Sequence, residues 1–291
     1  MRSSLRIFPM GARERATRLG LLGNGALFLL KAWAAWWTGS LAVLSDALNS
    51  LTDIFGSIAV WICVRVGARE ADANHPFGHG RAEPMAALVI AILAGVMGFE
   101  MMKLGAESFW RAGRIERGWI AVLALGITMV LKGAMAFYLY REGRRSDSPA
   151  LLASAVDSKN DVLVSAVALI GVVGTAYAGV ALDAPAAFLI GLWIIRTGFR
   201  IGMKNIGYLM GQEPEKGLVE EIRRTALATS GVRGVHDLRA HYVGNLIHVE
   251  LHVEIAPDMG AKEAHDISAR VHAAVENLPQ VDEAFVHLDP V

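Results

Sequence analysis

Two short stretches carry acidic residues at helical spacing inside otherwise apolar sequence. One reads Ser45-Asp46-Ala47-Leu48-Asn49-Ser50-Leu51-Thr52-Asp53, the other Asp157-Ser158-Lys159-Asn160-Asp161. Residues four apart share a helix face, one turn from each other. Asn49 and Asp53 therefore point the same way, as do Asp157 and Asp161. If the two faces meet, three carboxylates and an amide oxygen converge. Three ionised carboxylates in a low-dielectric site repel one another, so a divalent cation or protons must occupy them. A site that exchanges one for the other is, in outline, a metal/proton antiporter. The alternative is that these residues pack helices or pair with Lys132 and Lys159. Asp46, on nearly the same face, could relay protons or hydrogen-bond a neighbouring helix, for example at Asn24. Glu100, Lys103 and Glu107 have the spacing of a locally paired polar face.

Two further groups could hold metal. Asp72, His75 and His79 lie within the run Asp72-Ala73-Asn74-His75-Pro76-Phe77-Gly78-His79-Gly80-Arg81-Ala82-Glu83. They could bind one ion, or the histidines could be solvated while Pro and Gly shape a turn. Seven of the nine histidines fall near the end of the chain: His236, His241, His248, His252, His265, His272 and His287. Strand alternation puts His248, Glu250, His252 and Glu254 on one face and the Val and Leu residues between them toward a core. His287 and Asp289 share a face for the same reason. Such a face suits zinc-like ions or is simply a solvated polar surface.

The elements that must position these residues follow from hydropathy. The chain has 291 residues, 54% hydrophobic and 19% charged, which departs from soluble composition in the membrane direction. Six stretches are long enough to span a bilayer: Leu19–Trp37, Leu41–Val66, Met85–Trp110, Trp119–Tyr140, Ala150–Val180 and Ala184–Met210. Net charge is zero, so nothing argues for nucleic acid as a partner. The single cysteine, Cys63, makes neither an internal disulfide nor a thiolate cage. Six spans place both termini on one side. That side carries Arg2, Arg6, Arg13, Arg15, Arg18, Arg65, Arg69, Arg81, Arg141, Arg144, Arg145, Arg200 and Lys204. Arg111, Arg114 and Arg117 fall on the other side. The positive-inside rule then predicts cytoplasmic termini in a multi-pass protein of the cell (inner) membrane.

Composition shifts near Gly211. Residues 1–210 read as an all-α, six-helix transmembrane domain and residues 211–291 as a small cytoplasmic α+β domain of order α-β-β-α-β. Its elements are expected at Glu215–Thr229, Val235–Val243, Asn245–Ala256, Met259–Leu278 and Val281–Leu288. A core this small would gain from a dimer interface.

Taken together, the motifs resemble the cation diffusion facilitator family over almost the whole chain. The resemblance rests on Ser40 to Asp53, on His75-Pro76-Phe77-Gly78-His79-Gly80-Arg81-Ala82-Glu83, on Asp157 to Asp161 and on Val286-His287-Leu288-Asp289-Pro290. It implies a homodimer that exports divalent cations from the cytoplasm in exchange for protons. It implies a transport site of Asn49, Asp53, Asp157 and Asp161, and a loop site of Asp72, His75 and His79. The tail would be a metallochaperone-like domain with a two-ion cluster held by His236, His252, His265, His287 and Asp289. Zinc-carrying members usually have a histidine in the transport quartet, and this chain has none. An all-oxygen quartet favours Mn²⁺ as cargo, with Zn²⁺ or Fe²⁺ next, and the tail could bind such ions as ligands without their being the cargo. No HExxH-type helix motif supports an intramembrane enzyme. The rival reading is a membrane-bound metal sensor or assembly protein that binds ions without transporting them.

Overall fold

A computed structural model describes residues 10–38, 41–108, 118–178 and 183–291. The expected span ends at Trp110 and Val180, together with Arg2, Arg6, Arg111, Arg114 and Arg117, lie outside the described residues. So do the side chains of Asp46 and Asn49, whose backbone is helical. Six long helices come first: α1 (Met10–Thr38), α2 (Leu41–Gly67), α3 (Ala82–Ser108), α4 (Gly118–Arg145), α5 (Pro149–Ala178) and α6 (Asp183–Leu209). A small domain follows, with α7 (Lys216–Leu227), β1 (Gly234–Val243), β2 (Leu246–Ile255), α8 (Ala261–Glu276) and β3 (Val281–Pro290). The observed class is thus a helical bundle plus an α-β-β-α-β domain.

Several helices outrun the apolar stretches that announce them. α1 begins at Met10 and α4 runs on to Arg145, past the hydrophobic edges at Leu19 and Tyr140. Hydropathy reports where a helix sits in apolar surroundings, whereas the backbone ladder continues until a turn or a proline stops it. Here the stop is the Asp147-Ser148-Pro149 turn, with Asp147 at φ 46°. Ser148 caps α5 by accepting from the Leu151 amide at 3.3 Å, and Pro149 takes the first helical position, which has no need of an N–H. Within the described residues, α2, α3 and α4 contain windows long and apolar enough to cross a membrane, at Ser50–Gly67, Ala82–Glu107 and Leu123–Arg145.

The bundle is held by small residues and by a few buried polar contacts. Ala86, Ala87, Ala150 and Ala153 are almost fully buried and pack with Val60, Val64 and Ile90. α3 and α6 cross through glycine: a Cβ on Gly191 would lie 2.5 Å from the Gly98 carbonyl oxygen, and one on Gly198 would lie 2.9 Å from the Ala91 carbonyl oxygen. Close backbone approach through small residues is the usual packing device in the absence of water. At one end, Arg13 of α1 pairs with the buried Glu83 of α3 at 2.9 Å and donates to the Ser146 carbonyl at 2.5 Å. Ser148 donates to the same Glu83 carboxylate. Lys103 and Glu107, expected to pair along α3, lie 4.0 Å apart.

The second compact unit comprises Gly207–Val291 together with the loop Glu70–Arg81. Its sheet runs β1-β2-β3, with β1 antiparallel and β3 parallel to β2. α7 and α8 cover one face: Ile222, Ala226, Ile267, Val271 and Val275 bury against Val249, Leu251 and Val253. The alternation expected in β2 therefore holds for its apolar face. His248, on the other face, is nonetheless buried at 3% exposure, because Phe77 of the loop lies over it at 5.7 Å between ring centroids. The hairpin turn permits this approach: Gly244 has φ 70°, and a Cβ there would meet the Gly80 backbone at 2.5 Å.

The α3–α6 crossing yields a stability prediction. Gly191→Val should cost about 1–3 kcal/mol by overpacking. Thermal unfolding of the detergent-solubilised protein would check it, and an unchanged melting point would show that the crossing does not depend on glycine.

Candidate metal centres

The acidic residues of α2 and α5 meet inside the bundle. Asp53, Asp157 and Asp161 each place a carboxylate oxygen within 4.8 Å of the others. The reason is local: α5 packs against both α2 and α4, and the i,i+4 spacing turns Asp157 and Asp161 toward that seam. Asn49 lies one turn before Asp53 on α2. Asn24 of α1 supports the α2 wall by donating to Ser57 Oγ at 2.7 Å, while Ser57 in turn donates to the Asp53 carbonyl at 2.8 Å. Asn24 is thus engaged with Ser57. Asp157 also lines a small cavity of mixed character, with Thr17, Asn24, Ser57, Ser154 and Ser158 beside the apolar Val60, Ile90, Met135 and Leu139.

A fourth element enters the cage. The Lys132 ammonium of α4 lies 2.8 Å from Asp53 Oδ2 and 2.5 Å from Asp161 Oδ2, with its side chain 2% exposed. Lys31 of α1, also buried, adds its field at Asp161. Of the two lysines that sequence offered as partners, α4 supplies Lys132, whereas Lys159 is exposed.

The loop residues converge as well. Asp72 Oδ1 accepts from the amides of Asn74 at 2.9 Å and His75 at 2.7 Å, which closes a tight turn. His75 Nδ1 lies 3.2 Å from Asp72 Oδ1, His79 Nε2 lies 3.4 Å from Asp72 Oδ2, and the two rings are 4.3 Å apart. His79 Nδ1 sits 3.2 Å from the Glu70 carbonyl. Donation there leaves Nε2 with its lone pair toward Asp72, the tautomer a metal ligand needs. Hydrogen bonds to its carboxylate, first from the His75 amide, hold Asp72 below the usual carboxylate range.

In the small domain, strand register builds a row. His236 of β1 pairs with His252 of β2, which pairs with His287 of β3. Asp289 completes the group: its carboxylate lies 2.9 Å from His252 Nδ1, 3.1 Å from His236 Nε2 and 3.3 Å from His287 Nε2. The hydrogen bond from His252 leads in holding Asp289 below the ordinary carboxylate value. His236, His252 and Asp289 meet the distance requirement for one ion. His265 stands apart, exposed on α8 in the layer that covers the opposite face of the sheet. The single chain does not bring it to the row.

Residues 17–210 match the family described as the cation efflux transmembrane domain, and residues 214–291 match the cation efflux protein cytoplasmic domain. The chain belongs to the cation diffusion facilitator family. Proteins similar to it include the uncharacterized transporter MJ0449 of Methanocaldococcus jannaschii, 35% identical over 96% of this chain and 98% of that one. The manganese efflux system protein MneS of Bacillus subtilis is 31% identical, over 87% of each chain. The cation-efflux pump FieF of Klebsiella pneumoniae is 27% identical, over 91% of this chain and 88% of that one. As a facilitator, this chain is a membrane protein of a cation-efflux family, and the match to the cytoplasmic domain supports the assignment of its C-terminal part.

The residue that sequence reasoning undervalued is Lys132. A lone lysine in an apolar span was the available signal. Its spacing on α4 tied it to nothing else in the sequence, because its partners lie on α2 and α5.

The Asp72 turn predicts a pH response. The carboxyl is held below its ordinary value in the folded chain, so its support of the turn is complete above that ordinary value. It is lost as pH falls through the lowered one. Hydrogen exchange at the Asn74 and His75 amides, corrected for intrinsic rates, should be slow in the wild type at neutral pH and fast in Asp72→Ala. Equal protection in the two proteins would contradict the role given to Asp72.

Proposed function

We propose that this facilitator exports a divalent transition-metal ion from the cytoplasm in exchange for protons, with Mn²⁺ the favoured cargo and Zn²⁺ or Fe²⁺ next. The observation that carries the reading is the convergence of Asp53, Asp157 and Asp161 in a bundle built of apolar helices. With Asn49 one turn from Asp53, the quartet offers oxygen and no imidazole. Hard oxygen donors suit Mn²⁺ better than a histidine-bearing set would. The likeness to MneS, named for manganese efflux, supports the same choice.

Exchange follows from charge. The carboxylates hold a dication while the site faces the cytoplasm, and protons arriving from the other side compete for the same oxygens and expel it. Rocking of the helices against one another would alternate access. The protein works as a homodimer in the inner membrane with both termini in the cytoplasm, an arrangement supported by the arginine distribution and by the match to the cytoplasmic domain. Asp72, His75 and His79 form a loop site. The row His236, His252, His287 and Asp289 forms a tail site, which His265 would join only from a second chain. Histidine and carboxylate together suit zinc-like ions there. The reading as a sensor or assembly protein without transport differs in one measurable respect, flux.

Purified protein in liposomes with an acidic exterior phase should move Mn²⁺ from a panel of metals, and collapse of the pH gradient should slow it. Asp161→Ala should abolish flux while leaving the tail and loop sites able to bind metal. Asp157→His should shift preference toward Zn²⁺. Full flux in Asp161→Ala would remove the transport assignment, and unchanged selectivity in Asp157→His would remove the oxygen-donor argument.

A further inference from the structure

Lys132 has no role in a site described by its oxygen ligands alone, yet it touches two of them. Its ammonium lies 2.8 Å from Asp53 and 2.5 Å from Asp161, inside the bundle and almost without solvent. A buried lysine far from any partner would be costly in a membrane span, and this one is held by the cage itself. We propose that Lys132 is a tethered rival of the cargo: its ammonium occupies the carboxylates of the empty carrier and must yield oxygen atoms for a divalent ion to enter. The proposal rests on the efflux reading of those same carboxylates.

Two physical arguments carry it. The first is geometric. An ion bound by Asp53 and Asp161 needs oxygens within about 2.0–2.2 Å, the range for small divalent ions on carboxylate oxygen. Lys132 now engages Oδ2 of both residues. Ion and ammonium cannot share the same contacts, so binding one displaces the other or turns the carboxylates. Lysine is fitted to this because its charge rides on a flexible four-carbon stem and can withdraw; the planar fork of arginine would hold both acids at once.

The second argument is charge. The ammonium offsets one unit of the cage's negative charge, beyond what the buried Lys31 contributes at Asp161, so a divalent ion entering beside it meets less negative charge than it would without it. With Lys132 replaced by a neutral side chain, one more unit of negative charge faces the ion. Lys132 thus keeps the grip of the cage weak enough for release.

The test compares wild type, Lys132→Met and Lys132→Arg as full chains. Mn²⁺ binding in detergent is read by the loss of the free-ion electron paramagnetic resonance signal. A variant carrying Asp53→Asn and Asp161→Asn supplies the blank for loop and tail sites. Flux in liposomes supplies KM and kcat separately. In Lys132→Met, binding at the cage should tighten by at least about tenfold, since a nearby unit positive charge has been removed. KM and kcat should fall together, because a tighter ion leaves more slowly. Lys132→Arg should bind Mn²⁺ more weakly than wild type, because the guanidinium keeps hold of both acids. A folded Met variant that binds Mn²⁺ no tighter than wild type overturns the proposal, and so does an Arg variant that tightens like Met. Should Lys132→Met fail to give a monodisperse protein, Lys132→Gln takes its place under the same criterion. If the wild type moves no divalent ion at all, the efflux reading fails, and the binding comparison alone still decides whether Lys132 competes.

Discussion

Negative charge gathered where water is scarce constrains the rest of this bundle. Asp53, Asp157 and Asp161 converge on one small volume, and something positive has to share it. In this structure the partner is the ammonium of Lys132, drawn from a third helix. The arrangement ties α2, α4 and α5 together by electrostatics where apolar side chains offer little preference between lipid and protein. It also makes their packing depend on what occupies the cage. A change of occupant is a change in the balance of forces among three helices, which is what a carrier needs in order to move.

The rest of the bundle supplies rigidity around that sensitive point. Alanine and glycine let α3 approach α6 and α5 with little side chain between. The buried Glu83 collects Arg13 from α1 and Ser148 from the α4–α5 turn, so one carboxylate joins three parts of the chain. Unlike the cage, this cluster holds a guanidinium, whose planar donors fix geometry. One acid site is paired for stability, the other with a cation that can let go.

The small domain solves a different problem by strand register. Histidines from three strands line up because β1, β2 and β3 pair at His236, His252 and His287. A bulge between His236 and Arg239, with Asp237 at φ 44°, lets His236 and His241 share the open face although they are five residues apart. The loop carrying Asp72, His75 and His79 belongs to the same compact unit, with Phe77 over His248. Two candidate metal centres therefore share one folded body.

Much of this was legible in the amino-acid order because its signals are local. Apolar length announces spans, i,i+4 spacing puts Asp157 and Asp161 on one face, and alternation separates His252 from Val253. The alternation also anticipated the core of the small domain. Other features depended on which elements become neighbours. Lys132 meets Asp53 across 79 positions, and no periodicity within one helix encodes that contact. The bulge in β1 reverses the parity by which a strand would have been read, and His248 is buried by a loop that strand alternation does not see. His265 carries the right chemistry on the wrong layer of its own chain. Sequence by itself determined the element types, the faces and the chemistry available on each. Tertiary structure decided which of those groups share a volume, because charge and coordination act through space, over a few ångströms, without regard to chain order.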